Sequence, residues 1–339
     1  MKHVTIIAEA GVNHNGDLQM ALELIDVAAD AGADYVKFQT FRTEDLVQKD
    51  TRKADYQIDN TGNDDSQFSM LKKLEIPLDW YPQLIKRCEQ RAIRFLSTGF
   101  DEKSIDLLDE LNCPIFKVPS GEITNKPYLE HISTKGKPVI ISTGMSDLED
   151  IRLAMETFLQ AGIDRSKITV LHCTTQYPTP FEDVNLKAMQ TIADTFQVNV
   201  GYSDHTESIE VAIAAVALGA TLIEKHFTLD RSLPGPDHLA SLEPKELKSL
   251  VQAIRNIQKA ISGDGRKVPS DSELKNIQPA RKSIHLSMDV AQGTALTRDH
   301  LIMLRPGNGI SPMEYPQILG KRTKIALPAG SILKKEDLE

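Results

Sequence analysis

Two histidines, His205 and His226, each close a short β-type run and stand 21 positions apart in the chain. Carried at the ends of neighbouring strands, two imidazoles can ligate one divalent metal and leave its other coordination positions open to substrate and water. The plainer alternative is two unrelated histidines, one capping the turn after Ser203-Asp204 and one packed under a loop. Lys37 and Lys117, with Ser120, Ser142 and Ser203, supply ammonium groups and hydroxyls of the kind that hold a small phosphorylated acid. Lys117, between Phe116 and Val118, also fits a Schiff-base nucleophile, and both lysines could simply balance Glu9, Glu122 and Glu224. Glu9 stands just before a Gly11 turn, a position from which a carboxylate meets substrate or a bound water, or else caps or pairs. Tyr177-Pro-Thr-Pro180 is a rigid turn that fixes one aromatic ring as a pocket wall, and Pro234-Gly-Pro-Asp237 holds one carboxylate nearby.

These residues need a frame that brings them together. Eight strand-like runs, at 4–8, 35–38, 94–97, 115–118, 139–142, 169–172, 199–202 and 222–225, alternate with amphipathic helical patterns at 18–31, 101–111, 148–161, 186–196, 208–218 and 244–261. Such alternation makes a parallel sheet with helices outside, and eight strands close a barrel. No GxGxxG turn follows the first strand, as a doubly wound dinucleotide fold would carry. The polar residues also fall at the C-terminal ends of the strands, where a (β/α)8 TIM barrel places its chemistry: Glu9; Lys37 and Gln39; Thr98; Lys117 and Ser120; Ser142 and Thr143; His172 and Thr174; Ser203, Asp204 and His205; Glu224 and His226.

Residues 42–77 are too long and polar for an ordinary βα loop and are expected to fold over the mouth as a lid. The barrel is expected to occupy 1–265, with 266–280 as a linker and a small β-rich module over 281–339, its strands at 283–288, 294–296, 301–304, 323–326 and 331–333. A net charge of −9 over 339 residues offers no basic surface for nucleic acid. The opening Met1-Lys-His-Val-Thr-Ile-Ile-Ala-Glu9 lacks the apolar core of a signal peptide, and no window reaches the length of a membrane span. Three cysteines, odd in number and without CxxC spacing, point to a reducing cytoplasm.

Ala8-Glu-Ala-Gly-Val-Asn-His-Asn-Gly16, Val36-Lys-Phe-Gln-Thr40, Pro119-Ser-Gly-Glu122, Ile141-Ser-Thr-Gly-Met145, Tyr177-Pro-Thr-Pro180, Tyr202-Ser-Asp-His-Thr206 and Glu224-Lys-His-Phe227, in that order, resemble the sialic acid synthase family. Arg305-Pro-Gly-Asn-Gly309 and Leu319-Gly-Lys321 are similar to the antifreeze-like (SAF, β-clip) module that ends those enzymes. The resemblance spans the chain. It implies condensation of phosphoenolpyruvate with an open-chain N-acylmannosamine-type aldehyde and water, with release of phosphate. It further implies a divalent metal on His205 and His226 (Mn2+, or Mg2+ or Co2+), and phosphate and carboxylate held by Lys37, Thr98, Lys117, Ser120, Ser142 and Ser203. Thr175 is expected among the substrate contacts, and Glu9, Gln39, Tyr177 and Asp237 face the sugar. A domain-swapped homodimer is implied in which Arg305 reaches the N-acyl group in the twin subunit, with Glu9, Lys117 and Arg305 as the catalytic set. Lys53-Ala-Asp-Tyr-Gln57 and Gly201-Tyr-Ser-Asp204 resemble the legionaminate branch more than the N-acetylneuraminate branch. Gly99 departs from the family pattern, standing where many bacterial members carry proline.

Two other functions fit parts of this pattern. A barrel aldolase would join pyruvate itself to an aldehyde, release no phosphate and, in Schiff-base form, be trapped on Lys117 by borohydride. A non-catalytic saccharide-binding protein would have no need of His205, His226, Lys37 and Lys117 at one mouth.

Overall fold

The computed structural model describes residues 3–62 and 65–339. The chain divides into two compact units, Met1–Ser262 and Gly263–Glu339. In the first, the strands are β1 (Thr5–Gly11), β2 (Tyr35–Thr40), β3 (Arg94–Gly99), β4 (Phe116–Val118), β5 (Val139–Ser142), β6 (Ile168–His172), β7 (Asn199–Asp204) and β8 (Leu222–His226). They form one parallel sheet in the order β3-β2-β1-β8-β7-β6-β5-β4. The pairing of β1 with β8 curls it into a TIM-type barrel, and the two end strands, β3 and β4, lie against each other without a hydrogen-bonded ladder.

Period-two alternation divides each strand between two tasks. Outward residues such as Ala8, Val36, Phe38, Phe116, Val118, Ile141, Val170, Val200 and Ile223 join the main core against the helices. Inward residues at the base form a small apolar plug of Ile7, Tyr35, Leu96, Ile140, Leu171 and Leu222, with Ile115 against it. Two residues further along the same strands come Glu9, Lys37, Thr98, Lys117, Ser142 and Glu224, all buried. The apolar plug is the floor on which the polar layer rests.

Helices cover the outside, and their ends are set by local chemistry. The Asp17 carboxylate caps Leu18–Ala31 by accepting from the amides of Gln19 and Met20, and Gly32 closes that helix in the left-handed region. Asp147 caps Leu148–Gln160 in the same way. Two helices that the sequence pattern did not reveal, Tyr81–Gln90 and Lys126–Ser133, complete the layer.

The long segment after β2 carries three short helices, Thr43–Leu46, Asp55–Thr61 and Gln67–Lys72. Two residues of the expected lid, Asn63 and Asp64, lie outside the described residues, as do Met1 and Lys2 of the N-terminal reading. In the second unit only two of the expected strands are extended, Ser283–Leu286 pairing antiparallel with Leu301–Leu304. The runs at 294–296, 323–326 and 331–333 contribute single bridges, Ala295 with Arg322, Thr323 with Leu338 and Ile332 with His285. Gly293, Pro328 and Gly330 interrupt the chain beside these runs, so none continues a ladder. Ile284, Leu286, Val290, Leu296, Ile310, Ile318, Leu333 and Leu338 form this unit's own core. The helix Asp271–Ala280, which buries none of its residues, occupies most of the expected linker. No helix among the described residues is long and apolar enough to cross a membrane.

Gly201 shows how tightly β7 is seated. A Cβ there would strike the Leu222 carbonyl oxygen and come within 2.6 Å of Leu171 Cδ2. Gly201→Ala is therefore expected to destabilise the barrel by about 1–3 kcal/mol through overpacking, read as a lowered urea midpoint of the full chain.

Candidate active site

At the C-terminal face of the barrel the inward residues enclose a cavity of about 760 Å³. Its floor is a four-charge network. Lys37 Nζ lies 2.7 Å from Glu9 Oε2 and 3.6 Å from Glu224 Oε2. Lys117 Nζ lies 3.2 Å from Glu224 Oε1. Lys37 also donates to Thr98 Oγ1 at 2.8 Å, and Ser203 Oγ donates to Glu224 Oε1 at 3.1 Å. These contacts follow from strand register, which sets Glu9 beside Lys37 on one side and His226 on the other, and Ser203 beside Glu224.

Burial separates the two carboxyls. It pushes Glu9 up to about 7, only partly opposed by Lys37, with the Glu224 charge adding to the rise. Glu224 is subject to the same desolvation, but Lys117 and Lys37 together outweigh it and hold the carboxyl at about 2. Lys37 is raised because Glu224 and Glu9 overcome its burial, whereas burial wins at Lys117 and lowers it. One carboxyl that keeps its proton near neutrality beside one that stays ionised is the division that proton-transfer sites use.

Above this floor His205 and His226 stand with ring centroids 5.5 Å apart, and the Tyr177 ring packs 4.1 Å from His205 and edge-on to His226. His205 Nδ1–H donates to the Thr174 carbonyl, which leaves Nε2 as the lone-pair nitrogen. His226 Nδ1 is buried without a hydrogen-bond partner, 3.9 Å from Asp237 Oδ2. Burial holds His205 at about 4 and His226 well below the ordinary imidazole value, so both rings are neutral at pH 7. Neutral imidazoles fit a divalent cation: His226 Nδ1 has no hydrogen-bond partner, and His205 Nε2 has only the hydroxyl of Ser203 beside it, at 3.4 Å. Among the described residues no group of three or more His, Cys, Asp or Glu side chains is arranged to hold a metal ion, so the pair offers two protein donors.

Gly11 sits in a β1 bulge with φ +53°, and a Cβ there would lie 3.3 Å from Gln39 Nε2, Glu9 Oε1 and His226 Cε1 alike. Only glycine lets these three side chains converge. Asp237 is fixed through its backbone, whose carbonyl accepts from Ser241 Oγ, itself bonded to Asn13 Nδ2. Burial raises the Asp237 carboxyl to about 6.

Glu9, Lys37, Gln39, Thr98, Lys117, Ser120, Ser142, Thr175, Tyr177, Ser203, His205, His226 and Asp237 thus all line the one cavity. Arg305 lies in the second unit, exposed, before the cis peptide to Pro306. His172, Thr143, Thr174 and Asp204 do not line it, because alternation or the turn beyond the strand directs them elsewhere. His172 donates to the Val184 carbonyl, Thr143 to the Leu171 carbonyl, and Thr174 shares a hydrogen bond with Thr179. Asp204 faces the helix layer, where its carboxylate meets Lys225 Nζ at 3.1 Å with both side chains 0% exposed. That pair ties β7 to β8 directly behind the two histidines. Glu224, which the sequence offers as charge balance for the lysines, does pair with both and is the centre of the floor network. The sequence motifs do not single out Tyr56, which stacks on Tyr177 at 5.1 Å; the Lys53-Ala-Asp-Tyr-Gln57 string is the signal that contains it.

Residues 24–267 match the model of the NeuB family and residues 281–339 that of the SAF domain. The chain belongs to the NeuB family. Among its NeuB relatives, the N,N'-diacetyllegionaminic acid synthase of Campylobacter jejuni is 54% identical, over 95% of this chain and 96% of its own length. The N,N'-diacetyllegionaminic acid synthase of Legionella pneumophila is 51% identical, over 98% of this chain and 94% of its own. The crystal structure of N-acetylneuraminic acid synthetase from Leptospira borgpetersenii, in complex with citrate, superposes with a TM-score of 0.70 at 36% identity, covering 81% of this NeuB chain and 90% of that one.

Burial gives the NeuB barrel an acid-sensitive interior. His14, His172, His205, His226 and His238 are all held below the usual 6.5, with desolvation the first cause at each. As pH falls from 6.5 toward 4 the unfolded chain takes up protons that these rings refuse, so stability is lost in that window. Glu9 and Asp237, raised to about 7 and about 6, pull the opposite way, but the histidines outnumber them. Tm is expected to fall steadily between pH 6.5 and pH 4 in thermal unfolding followed by circular dichroism; a Tm that rises on acidification contradicts the neutral-imidazole assignment.

Proposed function

We propose that this NeuB-family chain is a nonulosonate synthase that condenses phosphoenolpyruvate with open-chain 2,4-diacetamido-6-deoxy-mannose and water to give N,N'-diacetyllegionaminate and phosphate. The observation that carries this reading is the floor of the cavity, where two lysines and a set of hydroxyls lie beneath a pair of neutral imidazoles. The two synthases above 50% identity, both matching nearly end to end, support the legionaminate product over N-acetylneuraminate.

In this reading Lys37 and Lys117, with Thr98, Ser120, Ser142 and Ser203, hold the phosphate and carboxylate, and Glu224, kept ionised between the lysines, offsets their charge in the free site. C3 of phosphoenolpyruvate bonds to the aldehyde carbon, and the aldehyde oxygen takes a proton from Glu9, whose raised carboxyl holds one near neutrality. Water then adds to C2 and returns a proton to the Glu9 carboxylate, and the tetrahedral intermediate collapses to the ketone as the C2–O bond to phosphate breaks, its hydroxyl proton leaving on the phosphate. Gln39, Thr175, Tyr177 and Asp237 orient the sugar so that the reacting carbons meet. His205 and His226 would hold a divalent metal, Mn2+ with Mg2+ or Co2+ as alternatives, which supplies Lewis-acid polarisation of the aldehyde when bound. A homodimer in which Arg305 of each subunit serves its twin, and a cytoplasmic location supported by three buried free thiols, complete the proposal.

The test is phosphate release from phosphoenolpyruvate with Mn2+, run with 2,4-diacetamido-6-deoxy-mannose and with N-acetylmannosamine, the products identified by mass. Release that depends on sugar is expected; release with neither, or borohydride trapping of pyruvate on Lys117, would return the chain to the aldolase or saccharide-binding readings. His205→Ala is expected to lower kcat by at least about 100-fold, as for loss of a transition-state electrostatic contact, in the same assay; near-normal turnover would remove the imidazole pair from the mechanism.

A further inference from the structure

The cavity has two chemically different walls. Over the ends of β4 to β6 it is polar, with Ser120, Glu122, Ser142, Thr175 and Gln176. Over β1 to β3 it carries an apolar patch: Val12, Phe41 and Phe100, from the turns after those strands, meet Leu46, Met70 and Leu71 of the lid, which also contributes Asp55, Gln57, Asp59 and Gln67 to the lining. Phe41 and Phe100 pack edge to face with centroids 6.0 Å apart, and Leu46, Leu71 and Phe100 are only half-buried, so apolar surface is turned toward a cavity whose floor is charged. The wall begins next to the reacting end of the site. Gly11, where Glu9, Gln39 and His226 converge, is followed directly by Val12, and Phe41 lies two residues beyond Gln39.

We propose that this lid-borne wall selects the acceptor, by packing against the apolar groups at the far end of the sugar: the C6 methyl and the methyl of the C4 acetamido group. The inference rests on the synthase reading above and adds the residues that choose its substrate. With the anionic substrate held by the lysines and hydroxyls around the floor and the aldehyde beside the imidazoles, Gln39, Thr175, Tyr177 and Asp237 orient the sugar so that its far carbons, C4 to C6, run toward the apolar side. N-acetylmannosamine would present a C4 hydroxyl and a C6 hydroxymethyl there and leave the wall unmatched. Apolar pockets discriminate modestly, roughly 10- to 200-fold per missing methyl-sized group, and reject an added hydroxyl no more strongly. The wall accordingly sets a preference for the 6-deoxy, 4-acylamino sugar while N-acetylmannosamine remains a poor substrate.

The test uses Leu71→Asn and Leu46→Asn, with Leu71→Met as the conservative control, in the full chain with saturating Mn2+. Phosphate release is measured with both sugars over a range of sugar and phosphoenolpyruvate concentrations. The wild-type protein is expected to favour the diacetamido sugar in kcat/KM. Leu71→Asn should reduce kcat/KM for that sugar roughly 10-fold or more, with a much smaller loss for N-acetylmannosamine and an unchanged KM for phosphoenolpyruvate, and Leu71→Met should keep the wild-type ratio. Equal losses for both sugars or an unshifted ratio would overturn the wall's role and leave the synthase reading standing; a wild-type preference for N-acetylmannosamine would overturn the wall's role and the legionaminate product together, leaving only the condensation with phosphoenolpyruvate. Absence of phosphate release with either sugar would overturn both.

Discussion

The site is organised around one constraint: four ionisable side chains are buried together at the top of an apolar plug, and each must be compensated by its neighbours. Lys37 and Lys117 face Glu9 and Glu224, every one of them almost wholly removed from solvent. Charges so placed are tolerable only when paired and hydrogen-bonded, and removing one partner strands another. Because the four come from β1, β2, β4 and β8, the network joins strands on both sides of the barrel's unladdered β3–β4 seam. The geometry of the cavity and the cohesion of the barrel top therefore depend on the same contacts.

This dependence also sets how the site meets an anionic substrate. Lysines already matched by carboxylates cannot attract phosphate as bare charges do. A second acid must displace or protonate one of their partners, and Glu9, the carboxyl driven upward by burial, is the one that gives way most readily. Glu224, fixed by both lysines and by Ser203, stays ionised and anchors the floor. The environment thus gives two carboxyls of the same type separate tasks.

Most of the fold was legible because period-two alternation and helix stops are local signals. All eight barrel strands lie within a few residues of their expected bounds, and the residues that alternation sends inward, from Glu9 to His226, are the ones that line the cavity. The same rule explains the errors. His172 and Asp204 are polar and near strand ends, but they occupy outward positions, which polarity alone does not reveal. Glu224 was visible, but its central place depends on register between strands far apart in sequence. The packing of Leu46, Met70 and Leu71 with Phe41 and Phe100 arises from a tertiary meeting with no periodic signature. In the second unit, strand-like composition produced bridges more often than ladders, since runs so short need partners that the sequence does not identify.

The lid's apolar cluster is separate from the core that holds strands to helices. Substitutions in one need not disturb packing in the other, because sites without shared partners act nearly independently. A lineage with this architecture can exchange lid side chains and explore new acceptor shapes while the charged floor and the barrel stay as they are. Diversification of the product is then a matter of the rim alone, and the carbon–carbon bond-forming chemistry can be inherited intact.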